Sequence, residues 1–256
     1  MKDDASNGKN RRLQPDALPN ECMSCGVKAL CLGGNLDDWQ MMSLAGLVIQ
    51  RRRVVPGEVI YEEGARLTNL FTVASGASKS VLRLADSAQH ITNLSFRGDL
   101  AGFAGVYSGA YTETQIALEN SIVCVIPYRH LLEYIQHDRL VGRQFHRLVS
   151  RIMAQRQQIM IYTASSSAEL RVSGFLLWFS DRLAERRQRP TEFSLPVSRN
   201  DLAAFIGLRV ETVSRAFTRL RELCLIETNG RKICIRDLYA LRRLHVVSHS
   251  ASSNDG

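Results

Sequence analysis

Cysteines near the start of the chain are the first side chains whose spacing suggests chemistry. Cys22, Cys25 and Cys31 form a C-x2-C-x5-C pattern, and Cys124 stands alone far along the chain. Together they supply four soft sulfur ligands, the number that a cubane iron–sulfur cluster or a tetrahedral zinc ion needs. No His lies inside the cysteine cluster, so a mixed Cys and His zinc site is unsupported. The spacing predicts a thiolate metal site and leaves its metal open.

A second group of polar side chains lies near the C-terminus. Glu211, Ser214 and Arg215 follow one another at i, i+3 and i+4, so on a helix they share one face. Arg can donate two hydrogen bonds to a guanine, and Glu can accept one from a cytosine, so the pair can read one G·C step. The segment predicts a DNA-reading helix. Further candidate DNA contacts beside it are Thr212, Arg209, Arg219, Ser198 and Arg199.

The residues around this group predict the elements that must position it. Ser198 and Asp201 form a variant of the capping box, which begins a helix over 201–206. Gly207 supplies a tight turn before a second helix over 210–220, and Asn229-Gly230 then predicts a hairpin turn between two short strands. Two helices joined by a short turn and followed by a hairpin are typical of a winged helix-turn-helix.

The residues before this segment predict a β domain and a long helix. From 48 to 127, short runs of Val, Ile, Leu, Thr and Phe alternate with Gly-containing turns, as in a small β sandwich or barrel. Apolar residues then recur at helical spacing across 138–164, which favours a dimer seam, although packing on the chain's own β domain is the alternative. The candidate seam residues are Leu148, Ile152, Arg156 and Ile159.

The full domain prediction is an α+β chain. Its parts are a flexible tail (1–20), the cysteine segment with the β domain (21–137), the long helix (138–164), the DNA-binding domain (165–247) and a second tail (248–256). The net charge is +8, and the stretch from Leu170 to Val247 carries 15 Arg and Lys against 8 Asp and Glu. This excess favours a polyanionic partner.

Composition also limits where the protein works. No apolar run is long enough for a membrane helix, and residues 1–20 have no apolar signal-peptide core. We therefore expect a cytoplasmic protein that has no membrane partner. Cysteines in that compartment stay reduced, which favours metal ligation or redox sensing over disulfides.

The chain resembles the oxygen-responsive Fnr regulators of the Crp/Fnr superfamily from Cys22 to about Tyr239. The specific matches are the four cysteines named above, the Gly98-Asp99-Leu100 and Gly102-Phe103 turn, and the Val-Glu-Thr-Val-Ser-Arg motif at 210–215. The resemblance implies that Cys22, Cys25, Cys31 and Cys124 hold a 4Fe-4S cluster. It also implies that the Glu, Ser and Arg of the last motif read palindromic DNA with TTGAT-type half-sites.

The same resemblance implies the remaining architecture and partners. It implies a β-roll sensor domain, a cyclic-nucleotide-binding-like jelly roll, followed by a dimerisation helix and the C-terminal winged helix. It implies a homodimer and, for an activator, contact with RNA polymerase, for which the turn from Asp86 to Gln89 is the candidate surface. One position departs from the family pattern: Arg156 stands where the best-known member has an acidic side chain that opposes dimerisation without the cluster.

Three other functions compete with this interpretation. A cyclic-nucleotide-dependent regulator needs a cation for the cyclic phosphate, and no Arg or Lys lies between Gly98 and Ala117. A regulator that fills its cysteines with zinc, or uses them as a thiol switch, stays open. An enzyme is disfavoured because the chain has no dinucleotide, P-loop, nucleophile-elbow or zinc-protease motif.

Overall fold

A computed structural model of the chain describes residues 22, 24–32, 34, 50–83, 89–165 and 167–251. The predicted tail at 1–20 lies outside the described residues, and so do Asp86, Ser87 and Ala88 of the predicted polymerase surface. Within the described residues, no helix is both long and apolar enough to span a bilayer.

The N-terminal domain consists of two four-stranded antiparallel sheets that face each other. Their strand orders are β1-β8-β3-β6 and β2-β7-β4-β5. Glycines with positive φ occupy the predicted turns at 57, 64, 76, 98 and 109, where a residue with a Cβ would be strained. The strands are β1 (Gln50–Val54), β2 (Val59–Tyr61), β3 (Asn69–Ser75), β4 (Ala77–Arg83), β5 (Gln89–Phe96), β6 (Leu100–Ala101), β7 (Thr114–Ala117) and β8 (Ser121–Pro127). The predicted β-roll is therefore present.

Two helices follow β8, separated by a single capping residue. They are α1 (Tyr128–His137) and the long helix α2 (Arg139–Thr163). Between them, Asp138 has an extended backbone, and its side chain accepts hydrogen bonds from the amides of Leu140 and Val141. An Asp at this position satisfies amides that have no partner within the helix, so α2 begins as a new helix.

The C-terminal domain has the predicted helices and a small three-stranded sheet. The sheet order is β10-β11-β9, so the wing hairpin, formed by the last two strands, pairs through β11 with the first strand of the domain. The last helix continues past 247, where a tail was predicted. The elements are α3 (Ala168–Glu185), β9 (Glu192–Ser194), α4 (Arg199–Ile206), α5 (Val210–Glu222), β10 (Ile226–Asn229), β11 (Lys232–Ile235) and α6 (Leu238–Ala251).

A single apolar cluster joins the two domains. Leu94 and Phe96 of β5 pack in the same cluster as Phe175 and Trp178 of α3, and all four side chains are buried. The Phe96 and Trp178 rings lie 5.9 Å apart between centroids. The same cluster continues to α5, so the DNA-binding domain packs on the β-roll through an extensive apolar contact.

Candidate DNA-binding and cysteine sites

Helix α5 presents one polar face to solvent and buries the other. Val213 and Leu220 are fully buried, and Phe217 is 4% exposed. Glu211, Ser214 and Arg215 are all exposed on the opposite face, as their spacing predicted. The Ser214 hydroxyl donates to the backbone oxygen of Val210 at 3.0 Å. The candidate base-reading side chains are therefore held by the apolar core behind them.

Arg215 has only a local partner. Its Nη2 donates to the Thr212 hydroxyl at 3.4 Å, and the described ion pairs include none between Arg215 and Glu211. Arg219 instead pairs with Glu222 at 3.2 Å. A weak contact to a hydroxyl is easily exchanged for a base edge, so Arg215 is free to reach into a groove.

Ser198 and Arg199 hold the helix-turn-helix together from inside the protein. The Ser198 hydroxyl accepts from the amide of Asp201, and the Asp201 carboxylate accepts from the amide of Ser198, which completes the predicted capping box. The Arg199 guanidinium lies over the Phe217 ring, 3.2 Å from its centroid. Burial, aided by the charge of Arg221, lowers the pKa of Arg199 to about 10. Both residues position α4 and α5, and their contact with DNA stays a prediction.

The turn and the wing follow from two glycines. Gly207 ends α4 with φ 67, a left-handed conformation that favours glycine. In the wing, Asn229 pairs with Lys232, so the two loop residues are Gly230 and Arg231 rather than the predicted Asn229-Gly230. Gly230 has φ 60 at the first loop position, as primed hairpin turns require. The exposed Arg231 therefore stands at the tip of the wing.

The structure places three of the four candidate ligand cysteines around one strand of the β-roll. Cys124 is buried in β8, where the register sets it between Arg51 of β1 and Thr72 of β3. The Cys31 Sγ lies 3.9 Å from the Thr72 hydroxyl. Burial raises the pKa of Cys124 to about 12, Arg51 opposes this, and the nearby thiols of Cys31 and Cys22 add to it. Cys22 and Cys31 are therefore within electrostatic reach of Cys124.

The segment that carries the cysteine trio is a compact series of turns. The amide of Cys25 donates to the Cys22 oxygen at 3.2 Å, and the amide of Lys28 donates to the Cys25 oxygen at 3.0 Å. A single 3-10 turn, Lys28–Leu30, then leads to Cys31. These bonds bring the three predicted ligands onto one short coil.

The four cysteines supply the number of thiolates that a cluster needs. The described residues contain no group of three or more Cys, His, Asp or Glu side chains close enough to hold one metal ion. A cluster has several iron atoms, each held by one thiolate, so it needs wider ligand spacing than a single ion does. A bound cation favours the thiolate over the thiol, which would offset the rise in the pKa of Cys124 that burial causes.

The cysteine segment is docked on helix α2. Gln144 Nε2 donates to the Cys31 oxygen at 3.1 Å, and Arg151 Nη2 donates to the Leu30 oxygen at 2.5 Å. Leu32, 2% exposed, joins an apolar cluster with Leu148 of α2. Both hydrogen bonds are accepted by backbone oxygens, so they depend on the backbone conformation of the segment and not on its side chains. The position of the cysteines and the position of α2 are therefore linked.

The predicted seam residues of α2 are largely covered by their own subunit, and their part in a dimer stays a prediction. Leu148 is only 3% exposed, within its own subunit's core. Ile152 and Ile159 are half-buried against their own chain. Helix α2 leaves Leu140 and Ile161 partly exposed, and its most exposed apolar side chains are Met153 (67%) and Met160 (70%), which lie one heptad apart. Helical periodicity identified the apolar positions but not which of them the β-roll covers.

The Arg156 side chain is partly exposed and points its guanidinium towards the β-roll of its own subunit. Its Nη2 lies 4.0 Å from the carboxylate of Glu113, which is 8% exposed and accepts from Thr92 at 2.6 Å. Arg156 and Glu113 also line a cavity of about 200 Å³ with Met153. The window from Gly98 to Ala117 lacks Arg and Lys, but the fold brings a guanidinium to this cavity from α2. The exclusion of a cyclic nucleotide stays a prediction.

Comparisons with known proteins agree with this architecture. Residues 51–138 match the model of the cyclic nucleotide-binding domain, and residues 170–244 match that of the Crp-like helix-turn-helix domain. The structure of FixK2 from Bradyrhizobium japonicum is similar with a TM-score of 0.67 and 26% identity, over 76% of this chain and 96% of that one.

Curated relatives extend the likeness to most of the sequence. The fumarate and nitrate reduction regulatory protein of Escherichia coli K12 is 29% identical over 91% of this chain and 94% of its own length. The transcriptional activator protein FnrA of Stutzerimonas stutzeri is 33% identical over 86% of this chain and 90% of its own length. The chain belongs to the Fnr-type regulators of the Crp/Fnr superfamily, and it is a DNA-binding transcription regulator rather than an enzyme.

Proposed function

We propose that this regulator responds to oxygen through a 4Fe-4S cluster held by Cys22, Cys25, Cys31 and Cys124, and that the loaded form binds palindromic TTGAT-type sites as a homodimer. The observation that carries the proposal is the docking of the cysteine segment on α2 beside Cys124, through the bonds from Gln144 and Arg151. A bound cluster would supply the reaction with oxygen, and the chain's own residues would translate its presence into DNA affinity.

The first task of these residues is to fix the cysteine segment. Ligation would join the coil that carries Cys22, Cys25 and Cys31 to Cys124 of β8. Because the backbone oxygens of Leu30 and Cys31 accept from α2, a segment fixed at the cysteines also fixes that helix against the β-roll. Without the cluster, the segment and α2 would move independently, and the population would shift from the docked state to the undocked one.

The second task is dimerisation through the exposed face of α2. We assign the seam to Met153 and Met160, which replace the predicted Leu148, Ile152 and Ile159. A symmetric contact places each methionine near its copy or a neighbour on the facing helix. Two docked subunits would then hold their α5 helices about 34 Å apart, one turn of DNA, which is the spacing that a palindrome requires.

The third task is base reading by α5. The N-terminal half of the helix presents Glu211, Ser214 and Arg215 to the major groove, with Arg215 donating to a guanine and Glu211 accepting from the paired cytosine. Thr212, Arg209 and Arg219 flank this group and fit phosphate contacts, since phosphate contacts set register rather than sequence. An activator of this kind also contacts RNA polymerase, and a DNA target together with reduced thiols places the protein in the cytoplasm.

Anaerobic purification followed by iron and sulfide analysis tests the proposal. A brown preparation with broad visible absorbance, lost on exposure to air together with operator affinity, is the expected result. A colourless preparation that contains zinc would support a zinc site on the same thiols. A metal-free protein whose operator affinity follows reduction and oxidation of its cysteines would support a thiol switch. Either of these outcomes would overturn the cluster.

A further inference from the structure

The turn from Arg97 to Asp99 lies directly against the cysteine segment. A methyl group at Gly98, whose φ is 88, would lie 2.8 Å from the Cβ of Leu30. Arg151 Nη2 bridges the two parts, since it donates to the Leu30 oxygen at 2.5 Å and to the Gly98 oxygen at 3.2 Å. The turn and the segment therefore approach closely enough that a shift of one displaces the other.

The opposite side of the same turn binds helix α3 of the DNA-binding domain. The Asp99 carboxylate, 5% exposed, accepts from both Arg182 and Arg186, the latter at 2.8 Å. Arg186 Nε also donates to the Arg97 oxygen at 2.7 Å. Asp99 Oδ2 further accepts from the amide of Phe96 at 2.7 Å, which fixes the carboxylate to its own turn. Charge-assisted bonds of this kind are short and directional.

Burial makes the ion pair between Arg182 and Asp99 costly to break. Arg182 is 4% exposed, and its guanidinium stacks on the rings of Phe96 and Trp178, 5.2 and 4.7 Å from their centroids. Burial lowers the pKa of Arg182 to about 10, an effect that the charge of Asp99 opposes. Moving Asp99 away would leave a buried cation without its partner, which is costly, so α3 should follow the turn.

Helix α3 is in turn packed on the recognition helix. Phe175 and Leu176 of α3 share an apolar cluster with Val213 and Phe217 of α5, and all four side chains are buried. Close-packed interiors transmit displacement because they have few voids. A shift of the C-terminal end of α3 therefore carries α5 with it.

We infer that Asp99 is a positioning residue that links the cysteine segment to the recognition helix within one subunit, through Arg151 on one side and Arg182 with Arg186 on the other. This link is separate from dimerisation, and it rests on the proposed cluster as the event that fixes the segment. It adds a second way for cluster loss to reach DNA, in which each subunit reorients its own α5.

The test measures hydrogen exchange in a variant whose dimer is weakened, at concentrations where it is a monomer. Met160→Gln weakens the proposed seam without changing the turn from Arg97 to Asp99. In this variant, the exchange rates of the backbone amides at the C-terminal end of α3 are compared with and without the cluster. We expect exchange there to be about fivefold or more slower in the loaded form, the lower end of typical coupling factors. In the Arg151→Gln, Met160→Gln double variant, at matched visible absorbance, this difference should disappear.

Lys79→Gln in the same background is the matched control. Lys79 pairs with Asp201 at 2.5 Å, so it also joins the β-roll to the DNA-binding domain, but it makes no described contact with the cysteine segment. This variant should keep the cluster dependence. Asp99→Asn should lose it, and Asp99→Glu, which keeps the charge, should restore part of it.

The outcomes separate the coupling from the cluster. If Met160→Gln binds the cluster but its α3 amides exchange at the same rate with and without it, the coupling is refuted and the proposed function is not. The same holds if the double variant with Arg151→Gln keeps the full difference in exchange rate. If Met160→Gln stays a dimer, the same comparison is made at dilutions below its dissociation constant. A wild type that never shows visible absorbance would refute the proposed function, and the trigger of this link with it.

Discussion

Met160→Gln should weaken the dimer and leave the folded subunit intact. Met160 is 70% exposed in the single subunit, and full burial of a Met side chain is worth about 1.5–3 kcal/mol. Burying the exposed part is therefore worth about 1–2 kcal/mol, and the two-fold axis counts it twice. The substitution should cost about 2–4 kcal/mol per dimer, or about 30- to 1,000-fold in the dissociation constant.

Sedimentation equilibrium under anaerobic conditions measures this constant directly. Gln has nearly the length and helix propensity of Met, and position 160 is exposed, so the free energy of unfolding of the subunit should hardly change. Leu148→Ala is the contrasting variant, because Leu148 is 3% exposed inside the subunit. It should lose about 2–5 kcal/mol of unfolding free energy, and its folded fraction should still dimerise.

The two variants together decide where the seam lies. A Met160→Gln protein that dimerises as tightly as the wild type, beside a well-folded Leu148→Ala protein that does not dimerise, would refute the assignment. That pattern would return the seam to the face of Leu148, Ile152 and Ile159.

Three further predictions concern DNA, the cysteines and pH. Arg215→Ala should cost about 1–3 kcal/mol per half-site and relax preference at one G·C pair; competition with random DNA checks this, because equal losses on both would indicate a phosphate contact. Cys124→Ala should abolish both visible absorbance and anaerobic dimerisation, whereas Cys224→Ala, in the DNA-binding domain, should spare both. Burial opposes the ionisation of Asp201, but the hydrogen bonds from Lys79 and Ser198 outweigh it, so the pKa of Asp201 is lowered. The ionised carboxylate therefore stabilises the fold above its unfolded pKa of about 4, and this stabilisation is lost as the pH falls through the lower folded pKa. The stability difference between wild type and Lys79→Met should therefore shrink in thermal unfolding as the pH is lowered from 7 to 3.

The DNA-binding domain was predictable because its determinants are local. Helix α5 begins at Val210, where the second helix was predicted to begin. The capping box at Ser198 and the glycine at 207 act within a few residues of the turn that they specify. Such signals do not depend on how the rest of the chain folds.

Which face of α2 stays exposed in the subunit was not predictable, because it depends on contacts with residues far away in sequence. A helical pattern shows which residues are apolar, but not whether the chain's own sheets or another subunit covers them. The β-roll and the cysteine segment bury Leu148, whereas Met153 and Met160 stay exposed. Met is unbranched and adaptable, and it is common at surfaces that must repack against a partner.

The ion pairs of Asp99 left no sequence signal at all. Asp99 and Arg182 are 83 positions apart, and neither lies in a charge pattern that distinguishes a buried ion pair from solvated residues. In the sequence, the Gly98-Asp99-Leu100 turn is distinguished only by its resemblance to the family pattern. Its contact with α3 emerged from the fold.

Arg156 is better explained by its own subunit than by its copy across the dimer axis. Repulsion between two Arg156 side chains would need both charges to stand bare at the seam. The carboxylate of Glu113 lies 4.0 Å from Arg156 and is 8% exposed, and an opposite charge this close in a partly desolvated site offsets much of the field that a second subunit would feel. With the proposed seam, the dimer equilibrium therefore depends mainly on the apolar contact of Met153 and Met160. Both methionines are present with or without a cluster, so in the proposed function oxygen controls dimerisation through the docking of the cysteine segment on α2, by the bonds of Gln144 and Arg151.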